Sequence, residues 1–421
     1  MKVYKFGGAS LKDGPSVKNV VRILRKEPVH QALCLVVSAM GKTTNALEAV
    51  LNACWQKEDP EPFLLQIYEF HHKIIKELFP NPQEAFYAEW EALFESLHQM
   101  ARPIPDGQNY DRWYDRLVSM GEIFSSRIVH SYFRREGLPC EWLDARQIIA
   151  TDNRWREGTV QWEQTAAKVK SLVLPILQNQ LGLTQGFIGA DAEGNPTTLG
   201  REGSDYTAAI LAHLLEAQSL TIWKDVPGVL NADPKRVPDA QLFAQLSYAE
   251  AAEMSHYGAS VIHPKTIAPL AQKNIPLFVK SFLYPSQPGT CVDNTQVRKF
   301  LPCIMYKGRQ MLIKIEVEAM QFLKEEELAV IFKIVGRLGL HTHLVHKTAR
   351  AVSLCLDARP LRLEALRKMA GPEFSLTVSE NLELLTIKNG TPALTQQLTQ
   401  GREVLVECRQ DKLYQAVLYS D

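Results

Sequence analysis

Apolar and polar positions in the first 40 residues predict a strand, a helix and a second strand. Residues 1–6 are mainly apolar and β-favouring and run into the paired glycines Gly7 and Gly8, which is typical of a strand that ends in a tight turn. Residues 16–26 carry apolar side chains at helical spacing, and residues 32–37 form a near-continuous apolar run like that of a buried parallel strand. This βαβ order places the chain in the α/β class.

Helical and strand patterns continue to alternate up to about residue 295. Residues 46–102 have helical periodicity almost throughout, and a further helix carries Glu122. Strands are predicted at residues 184–190, 219–223 and 276–280, each followed by a loop rich in glycine, proline or aspartate.

The pattern changes beyond about residue 300. Residues 311–317 alternate between apolar and polar side chains, as an antiparallel strand with one solvated face does. Helices and strands then follow in the order βαββαβ, which is typical of ferredoxin-like α+β domains. Residues 382–419 begin the same pattern again and stop short.

Composition and charge argue against several classes of protein. The chain has 421 residues, 46% of them hydrophobic and 22% charged, so a globular protein of two or three domains is expected. Lys plus Arg and Asp plus Glu both number 47, and this balance argues against a general nucleic-acid binder. Neither a membrane-spanning apolar run nor the apolar core of a signal peptide is found. We therefore expect a cytoplasmic protein with no nucleic-acid or membrane partner.

Metal and disulfide chemistry is not expected. The seven cysteines are scattered, odd in number and without a CxxC pair, which is typical of a reducing compartment and of a protein without structural zinc. His341, His343 and His346 fall in a predicted strand, where the first two share a face and the third does not. No metal ligands are therefore predicted.

The glycine turn after the first strand is a candidate phosphate site. Successive amides in such a turn form an anion-binding nest, and Lys5 stands two residues before it, where a lysine suits a phosphoryl group in transfer. An ordinary turn is the alternative, and this stretch alone leaves both open. The later run Gly41-Lys42-Thr43 is not a P-loop, because Val36 occupies the position of the required first glycine.

Residues 197–209 are the segment richest in candidate chemistry. A loop that contains Arg201 opens a helix, which Ser204 or Asp205 is predicted to cap. Free amides at the start of a helix together with an arginine make an anion site, and the arginine can clamp a carboxylate. The alternative is an ordinary capped helix with an exposed arginine.

Two further charged residues allow two interpretations each. Glu122 is either an exposed acid or a carboxylate that faces a cationic group in a pocket. Lys265 follows a proline and is either a nucleotide ligand or a solvated surface lysine.

Six short segments stand out in order along the chain: KFGGAS (5–10), VVSA (36–39), GFIG (186–189), GREGSDYTAA (200–209), DVPGV (225–229) and GASVIHPK (258–265). With this ordered set the chain closely resembles the aspartokinases of the amino acid kinase family. Each motif is weak alone, whereas the ordered set is highly specific. The resemblance covers residues 1–295, and a weaker resemblance to paired regulatory ACT domains follows.

The resemblance implies a fold and a domain organisation. Residues 1–295 would form an α/β catalytic domain of the amino acid kinase type, a three-layer αβα sandwich around a mostly parallel sheet. Residues 305–380 would form a first ferredoxin-like ACT domain, and residues 381–421 a shortened second one. ACT-like domains usually pair, so a homodimer through them is implied.

The resemblance also implies a reaction. The chain would be an aspartate kinase, which transfers the γ-phosphoryl group of MgATP to the β-carboxylate of L-aspartate, the first step of lysine, threonine and methionine biosynthesis. ATP and Mg²⁺ would be its cofactors. An acceptor carboxylate is already ionised at neutral pH, so no general base is needed, and catalysis would rest on positioning and positive charge.

Site residues follow from matches to the family's motifs. Lys5 and Asp205 match catalytic positions, and Asp205 would orient the catalytic lysines. The nucleotide positions are matched by Lys5, Gly7, Gly8, Ser10, Lys224, Asp225, Lys235 and Lys265. The aspartate-binding positions are matched by Thr44, Glu122, Arg201, Gly203 and Ser204.

Some positions depart from the family pattern, and alternatives remain. Lys224 stands where many relatives have threonine and Leu230 where many have tyrosine, both beside the expected adenine site. Residues 321–326 lack the glycine usual in an effector loop, which leaves inhibition by lysine or threonine open. A kinase for glutamate, acetylglutamate or UMP is one alternative, but Arg201 with Glu122 favours a free amino acid. A catalytically silent ACT-type sensor is another, and the intact lysine and arginine motifs argue against it.

Overall fold

The chain forms two compact units. The computed structural model describes residues 1–28, 32–258, 262–295, 301–317, 321–358, 360–370 and 374–420. The first unit comprises Met1–Val229, Leu242–Ala252 and Ile262–Gln296, and the second comprises Leu230–Gln241, Glu253–Val261 and Val297–Asp421. Within the described residues, no helix is both long and apolar enough to cross a membrane.

A mostly parallel sheet lies at the centre of the first unit. The strands of this unit are β1 (Lys2–Phe6), β2 (Leu33–Val37), β3 (Cys140–Leu143), β4 (Leu181–Gln185), β5 (Ile188–Ala190), β6 (Pro196–Thr198), β7 (Ser219–Lys224), β8 (Gln245–Ser247), β9 (Leu277–Ser281) and β10 (Thr290–Asp293). Eight of them form one sheet in the order β3-β4-β2-β1-β7-β9-β10-β8. Its neighbours are parallel except β9 with β10. β5 and β6 form a separate hairpin.

Helices cover both faces of this sheet. The helices up to residue 272 are α1 (Gly14–Leu24), α2 (Thr43–Gln56), α3 (Glu61–Leu78), α4 (Phe86–Met100), α5 (Tyr110–Arg135), α6 (Ala145–Ile148), α7 (Trp162–Lys168), α8 (Leu174–Leu177), α9 (Gly203–Leu214), α10 (Tyr248–His256) and α11 (Pro264–Gln272). Side chains alternate along β1: Tyr4 and Phe6 pack into an apolar cluster with α1 to α5, whereas Lys5 pairs with Asp205 of α9. The predicted α/β fold with its three αβα layers is confirmed.

The second unit contains an antiparallel sheet with helices. Its strands and helices are β11 (Cys303–Val317), α12 (Glu325–Arg337), β12 (Thr342–Lys347), β13 (Ala351–Asp357), α13 (Pro360–Ala370), β14 (Phe374–Lys388), α14 (Pro392–Thr399), β15 (Val404–Gln410) and β16 (Leu413–Tyr419). The sheet order is β12-β13-β11-β14-β16-β15. The elements from β11 to β14 follow the predicted βαββαβ order, so the ferredoxin-like prediction for this region is confirmed.

Two long strands of the second unit serve both ferredoxin-like repeats. β11 pairs with β14 from Cys303 opposite Lys388 to Val317 opposite Phe374, with irregular register between Lys307 and Leu312. The later part of β14 opens the second repeat with α14, β15 and β16. The first part of β11 takes the position of the fourth strand, so the short second repeat is completed by a strand of the first.

Two predicted elements are divided in the structure. The helical segment at residues 46–102 contains three helices, because Lys57 adopts a left-handed conformation with φ of 61° after α2 and Pro60 precedes α3. The strand predicted at residues 184–190 is interrupted, because Phe187 is also left-handed with φ of 69° and redirects the chain from β4 into β5.

Candidate active site

A buried ion-pair cluster lies at the carboxyl end of β1. Lys5 is 7% exposed and Asp205, in the first turn of α9, is 2% exposed. Lys5 Nζ lies 2.7 Å from Asp205 Oδ1, and Lys224 Nζ lies 3.4 Å from Asp205 Oδ2. Burial opposes ionisation of Asp205, but Lys5 and then Lys224 outweigh it and hold its pKa below the ordinary value. One buried carboxylate therefore orients two ammonium groups.

The glycine turn after β1 packs tightly against the loop after β2. A Cβ on Gly8 would lie 2.7 Å from the carbonyl oxygen of Ala39 and 2.9 Å from that of Gly41. The amide of Gly41 donates to the carbonyl oxygen of Gly8 at 3.1 Å. A Cβ on Gly7 would lie 3.3 Å from Lys5 Nζ. Only glycine fits at position 8 without displacing the backbone of the neighbouring loop.

Loops after three neighbouring parallel strands meet at this edge of the sheet. β1 pairs with β2 on one side and with β7 on the other. The hydroxyl of Ser10, in the short 3₁₀ turn after β1, donates to the carbonyl oxygen of Trp223 in β7 at 3.4 Å. Lys224 ends β7, and Asp225 follows it as an exposed residue. Ligands of open α/β sheets bind at such carboxyl ends.

Glu122 is a buried carboxylate on α5 with an unused oxygen. The residue is 3% exposed, and Oε2 has no hydrogen-bond partner among the described residues. Burial raises its pKa to about 8, against the opposing effects of the Lys5 charge and a hydrogen bond from the amide of Ala39. Of the two interpretations of Glu122 from the sequence, the exposed acid is therefore wrong. A buried acceptor without a partner suits a cationic ligand.

The loop that precedes α2 is held between α3 and α5. Thr43 donates its hydroxyl to the carbonyl oxygen of Met40 at 2.6 Å and lies 3.3 Å from Nε2 of the fully buried His71. A Cβ on Gly121 would lie 3.3 Å from Cγ2 of Thr43. Thr44 is half-buried in the first turn of α2. Thr44, the predicted substrate-binding threonine, therefore lies in the first turn of a helix whose start is fixed by contacts of Thr43 with α3 and α5.

The start of α9 lies against the turn after β4. A Cβ on Gly186 would lie 2.5 Å from Cβ of Ser204, and one on Gly203 would lie 2.6 Å from the ring of Phe187. Arg201 is exposed. The prediction that Ser204 or Asp205 caps this helix is wrong: the N-cap is Glu202 and no side chain caps it. Asp205 is engaged by the two lysines instead. The amide of Gly203 donates to the carbonyl oxygen of Gly200 at 3.0 Å, so a ligand at this helix start would bind the amides that follow Gly203.

Two predicted nucleotide residues belong to other segments of the chain. Lys265 is an exposed residue in the first turn of α11, where it lines an open groove of about 550 Å³ with Trp162 and Tyr206. The motif that leads to it includes Ala259, Ser260 and Val261, which lie outside the described residues. Lys235 belongs to the second unit. The nucleotide roles of both lysines stay predictions.

Sequence reasoning missed three residues near the candidate site. Glu202 is left-handed with φ of 54°, and its Oε2 is buried without a hydrogen-bond partner among the described residues. His71 of α3 is fully buried. Asp115 is also fully buried and lies seven residues before Glu122, on the same face of α5. The seven-residue spacing from Glu122 was the one feature of the sequence that could have pointed to Asp115.

Comparisons with known proteins agree with the fold and the motifs. The amino acid kinase family model matches residues 1–281. Lysine-sensitive aspartokinase 3 of Escherichia coli is 32% identical over 358 residues, which cover 84% of this chain and 78% of that protein. The chloroplastic bifunctional aspartokinase/homoserine dehydrogenase 1 of Zea mays is 29% identical over 84% of this chain. The chain spans 39% of the length of that bifunctional relative.

Solved structures give the same result. The structure of E. coli aspartokinase III with aspartate and ADP (R-state) matches with a TM-score of 0.87 and 28% identity, covering 100% of this chain and 96% of that one. The structure of the same enzyme with lysine and aspartate (T-state) matches with a TM-score of 0.79 and 28% identity, covering 99% and 95% of the two chains. On the family model and the E. coli relative together, the chain belongs to the aspartokinases of the amino acid kinase family.

Proposed function

We propose that this chain is an aspartate kinase, which transfers the γ-phosphoryl group of MgATP to the β-carboxylate of L-aspartate and yields ADP and 4-phospho-L-aspartate. The observation that carries the proposal is the pair of lysines, Lys5 and Lys224, held by the buried Asp205 beside the glycine turn after β1. The related E. coli enzyme was solved with aspartate and ADP, which supports the same two ligands here.

Positive charge is what this reaction needs most. An oxygen of the aspartate β-carboxylate bonds to the γ-phosphorus while the bond to the β,γ-bridging oxygen breaks, and the electron pair leaves with ADP. Nucleophile and phosphate are both anionic, so they repel each other. Because Lys5 is buried, its charge acts in a medium of low dielectric and stabilises the transferring group more than in water. We assign Lys5 as the catalytic residue and Asp205 as the group that orients it.

Two groups of opposite charge are assigned to the two ends of the amino acid. The free oxygen of Glu122 would accept the α-ammonium group, and a bound cation would lower the raised pKa of that carboxyl. Arg201 would bind carboxylate together with the start of α9 at Gly203 and Ser204, where the amide of Ser204 is the assigned donor. Thr44 would complete the substrate site. A zwitterion with a side-chain carboxylate fits this arrangement.

The residues present fit a nucleotide, and they fit Mg²⁺ only when it is bound together with the nucleotide. Backbone contacts at Gly8 leave no room for a Cβ, as in a turn whose amides cradle phosphate. Among the described residues, no group of three histidine, cysteine or acidic side chains could hold a metal ion. Mg²⁺ would therefore be held mainly by the phosphates, with one or two carboxylates, and would supply further positive charge when bound. Asp225, which follows β7, and the lysines Lys235 and Lys265 are assigned to the nucleotide by motif alone.

Domain limits, assembly and location are part of the same proposal. We assign residues 1–295 to catalysis, residues 305–380 to a first ACT-like domain and residues 381–421 to a shortened second one. The two ferredoxin-like repeats of the second unit support a regulatory role and a homodimer through these repeats. The T-state relative holds lysine, which supports lysine as the first effector to test. Seven free cysteines support a reducing, cytoplasmic location.

Steady-state ADP release tests the proposed function. MgATP is supplied with L-aspartate, L-glutamate or N-acetyl-L-glutamate, with and without lysine or threonine. Turnover that depends on aspartate is expected. Turnover with another acceptor alone, or ATP binding without turnover, would contradict the proposal.

A further inference from the structure

Asp115 is a buried carboxylate that joins α5 to two separate loops. It is 0% exposed and lies two helical turns before Glu122. Thr198 donates its amide to Oδ2 at 2.9 Å and its hydroxyl to Oδ1 at 2.7 Å. The amide of Arg156 donates to the same carboxylate at 3.0 Å. Charge-assisted hydrogen bonds of this kind are stronger than those between neutral groups.

The contacts of Asp115 fix the entrance to the loop that carries Arg201. Thr198 is the last residue of β6 and stands three residues before Arg201. Its carbonyl oxygen accepts from the amide of Gly158 at 2.8 Å, and the next amide, that of Leu199, donates to the carbonyl oxygen of Phe187 at 2.8 Å. The backbone is thus held from three directions, although the Arg201 side chain itself is exposed.

We propose that Asp115 is a positioning residue for aspartate binding, which acts through Thr198 to set the place of Arg201 and does not touch the reacting atoms. This inference rests on the proposed function, because Arg201 matters here only as the group that binds the substrate's carboxylate. α5 then contributes to the substrate site twice: Glu122 faces the ammonium end, and Asp115 holds the loop for the carboxylate end.

The effect of removing the Asp115 charge follows from its hydrogen bonds. Asparagine keeps one acceptor oxygen, but its amide nitrogen would face a donor from Thr198 or Arg156. The loop must then shift to relieve this contact, and a misplacement of about 1 Å costs up to about a hundredfold in rate or binding. For Asp115→Asn we expect the KM for aspartate to rise about tenfold, with kcat and the KM for ATP changed less than about threefold.

The kinetic test compares single and double variants. Asp115→Asn and Thr198→Val, which removes only the hydroxyl, are measured by steady-state ADP release, together with Arg201→Ala and the Asp115→Asn/Arg201→Ala double variant. Asp111→Asn is the matched control, since Asp111 lies one turn earlier on α5, is exposed, and its carboxylate pairs with the side chain of Arg156 at 3.4 Å. We expect a wild-type KM in the control, an increase in both single variants, and no further increase from Asp115→Asn once Arg201 is removed.

Three results would overturn the inference alone, and a fourth would overturn the proposed function as well. An unchanged KM for aspartate in Asp115→Asn and Thr198→Val contradicts it. An equal effect of Asp115→Asn with and without Arg201 shows that the two residues act independently. A matching fall of kcat and rise of both KM values, with a lower melting temperature, shows a purely structural role. Wild-type protein without aspartate-dependent turnover would overturn the proposed function, and this inference with it.

Discussion

The buried carboxyl of Glu122 is predicted to lower the free energy of unfolding at neutral pH, and replacing it with the neutral amide of glutamine is predicted to raise that free energy. Burial raises its pKa from 4.5 to about 8. Between these two values the folded state binds a proton that the unfolded state has lost, so the free energy of unfolding falls as pH rises. With about 1.36 kcal/mol per pKa unit, the cost is under about 1 kcal/mol at pH 5, about 3 kcal/mol at pH 7 and between about 4 and 5 kcal/mol at pH 9.

Glu122→Gln removes the ionisation while nearly conserving the shape of the side chain. We therefore expect the variant to be more stable than the wild type by about 3 kcal/mol at pH 7, with a difference that grows towards pH 9 and nearly vanishes at pH 5. Urea unfolding at the three pH values measures this, with the exposed Glu163→Gln on α7 as the matched control. A constant difference across pH, or a less stable variant, would refute the reasoning.

The same titration predicts the pH dependence of substrate binding. At pH 7 about one-tenth of the empty protein carries an ionised Glu122, if its pKa is about 8. The proposed ammonium contact needs that ionised form, so kcat/KM for aspartate should rise up to about tenfold between pH 7 and pH 9. Glu122→Gln should lack this rise and bind aspartate more weakly at every pH. A parallel profile in the variant would show that Glu122 does not face the substrate.

Three further substitutions test the surrounding site. Lys5→Met keeps the length of the side chain but not its charge, and kcat should fall at least about a thousandfold with a smaller change in both KM values; near-wild-type turnover would remove Lys5 from the mechanism. Gly8→Ala places a Cβ 2.7 Å from the carbonyl oxygen of Ala39, so the KM for ATP should rise and the melting temperature fall. Gly336→Ala in α12, where the added Cβ meets no described atom within 4 Å, should leave the KM for ATP unchanged and should not lower the melting temperature, because alanine favours a helix over glycine. Glu202→Gly relieves a left-handed backbone and should stabilise the fold by about 1 kcal/mol; Glu202→Gln keeps that backbone cost, so equal stabilisation by both variants in urea unfolding would show that the charge alone is responsible.

Local sequence signals found most elements and missed the points where they break. Helical periodicity at residues 46–102 did not show the left-handed Lys57 between α2 and α3, because a single residue at positive φ leaves the apolar spacing around it unchanged. The glycine turn at Gly7 and Gly8 was recognised, since paired glycines after a strand are a local signal. Its contact with Ala39 needed the fold, because the two loops meet only when β1 and β2 pair.

The sequence by itself determined the order of helices and strands, the α/β and ferredoxin-like classes and, through six ordered motifs, the family. These depend on periodicity and turn chemistry, which act between residues close in the chain. Only the tertiary structure decided that Asp205 bridges Lys5 and Lys224, that Glu122 is buried with a free oxygen, and that β11 completes the second repeat. Lys5 and Asp205 are 200 residues apart and Cys303 and Lys388 are 85 residues apart, and no local propensity encodes such a pairing.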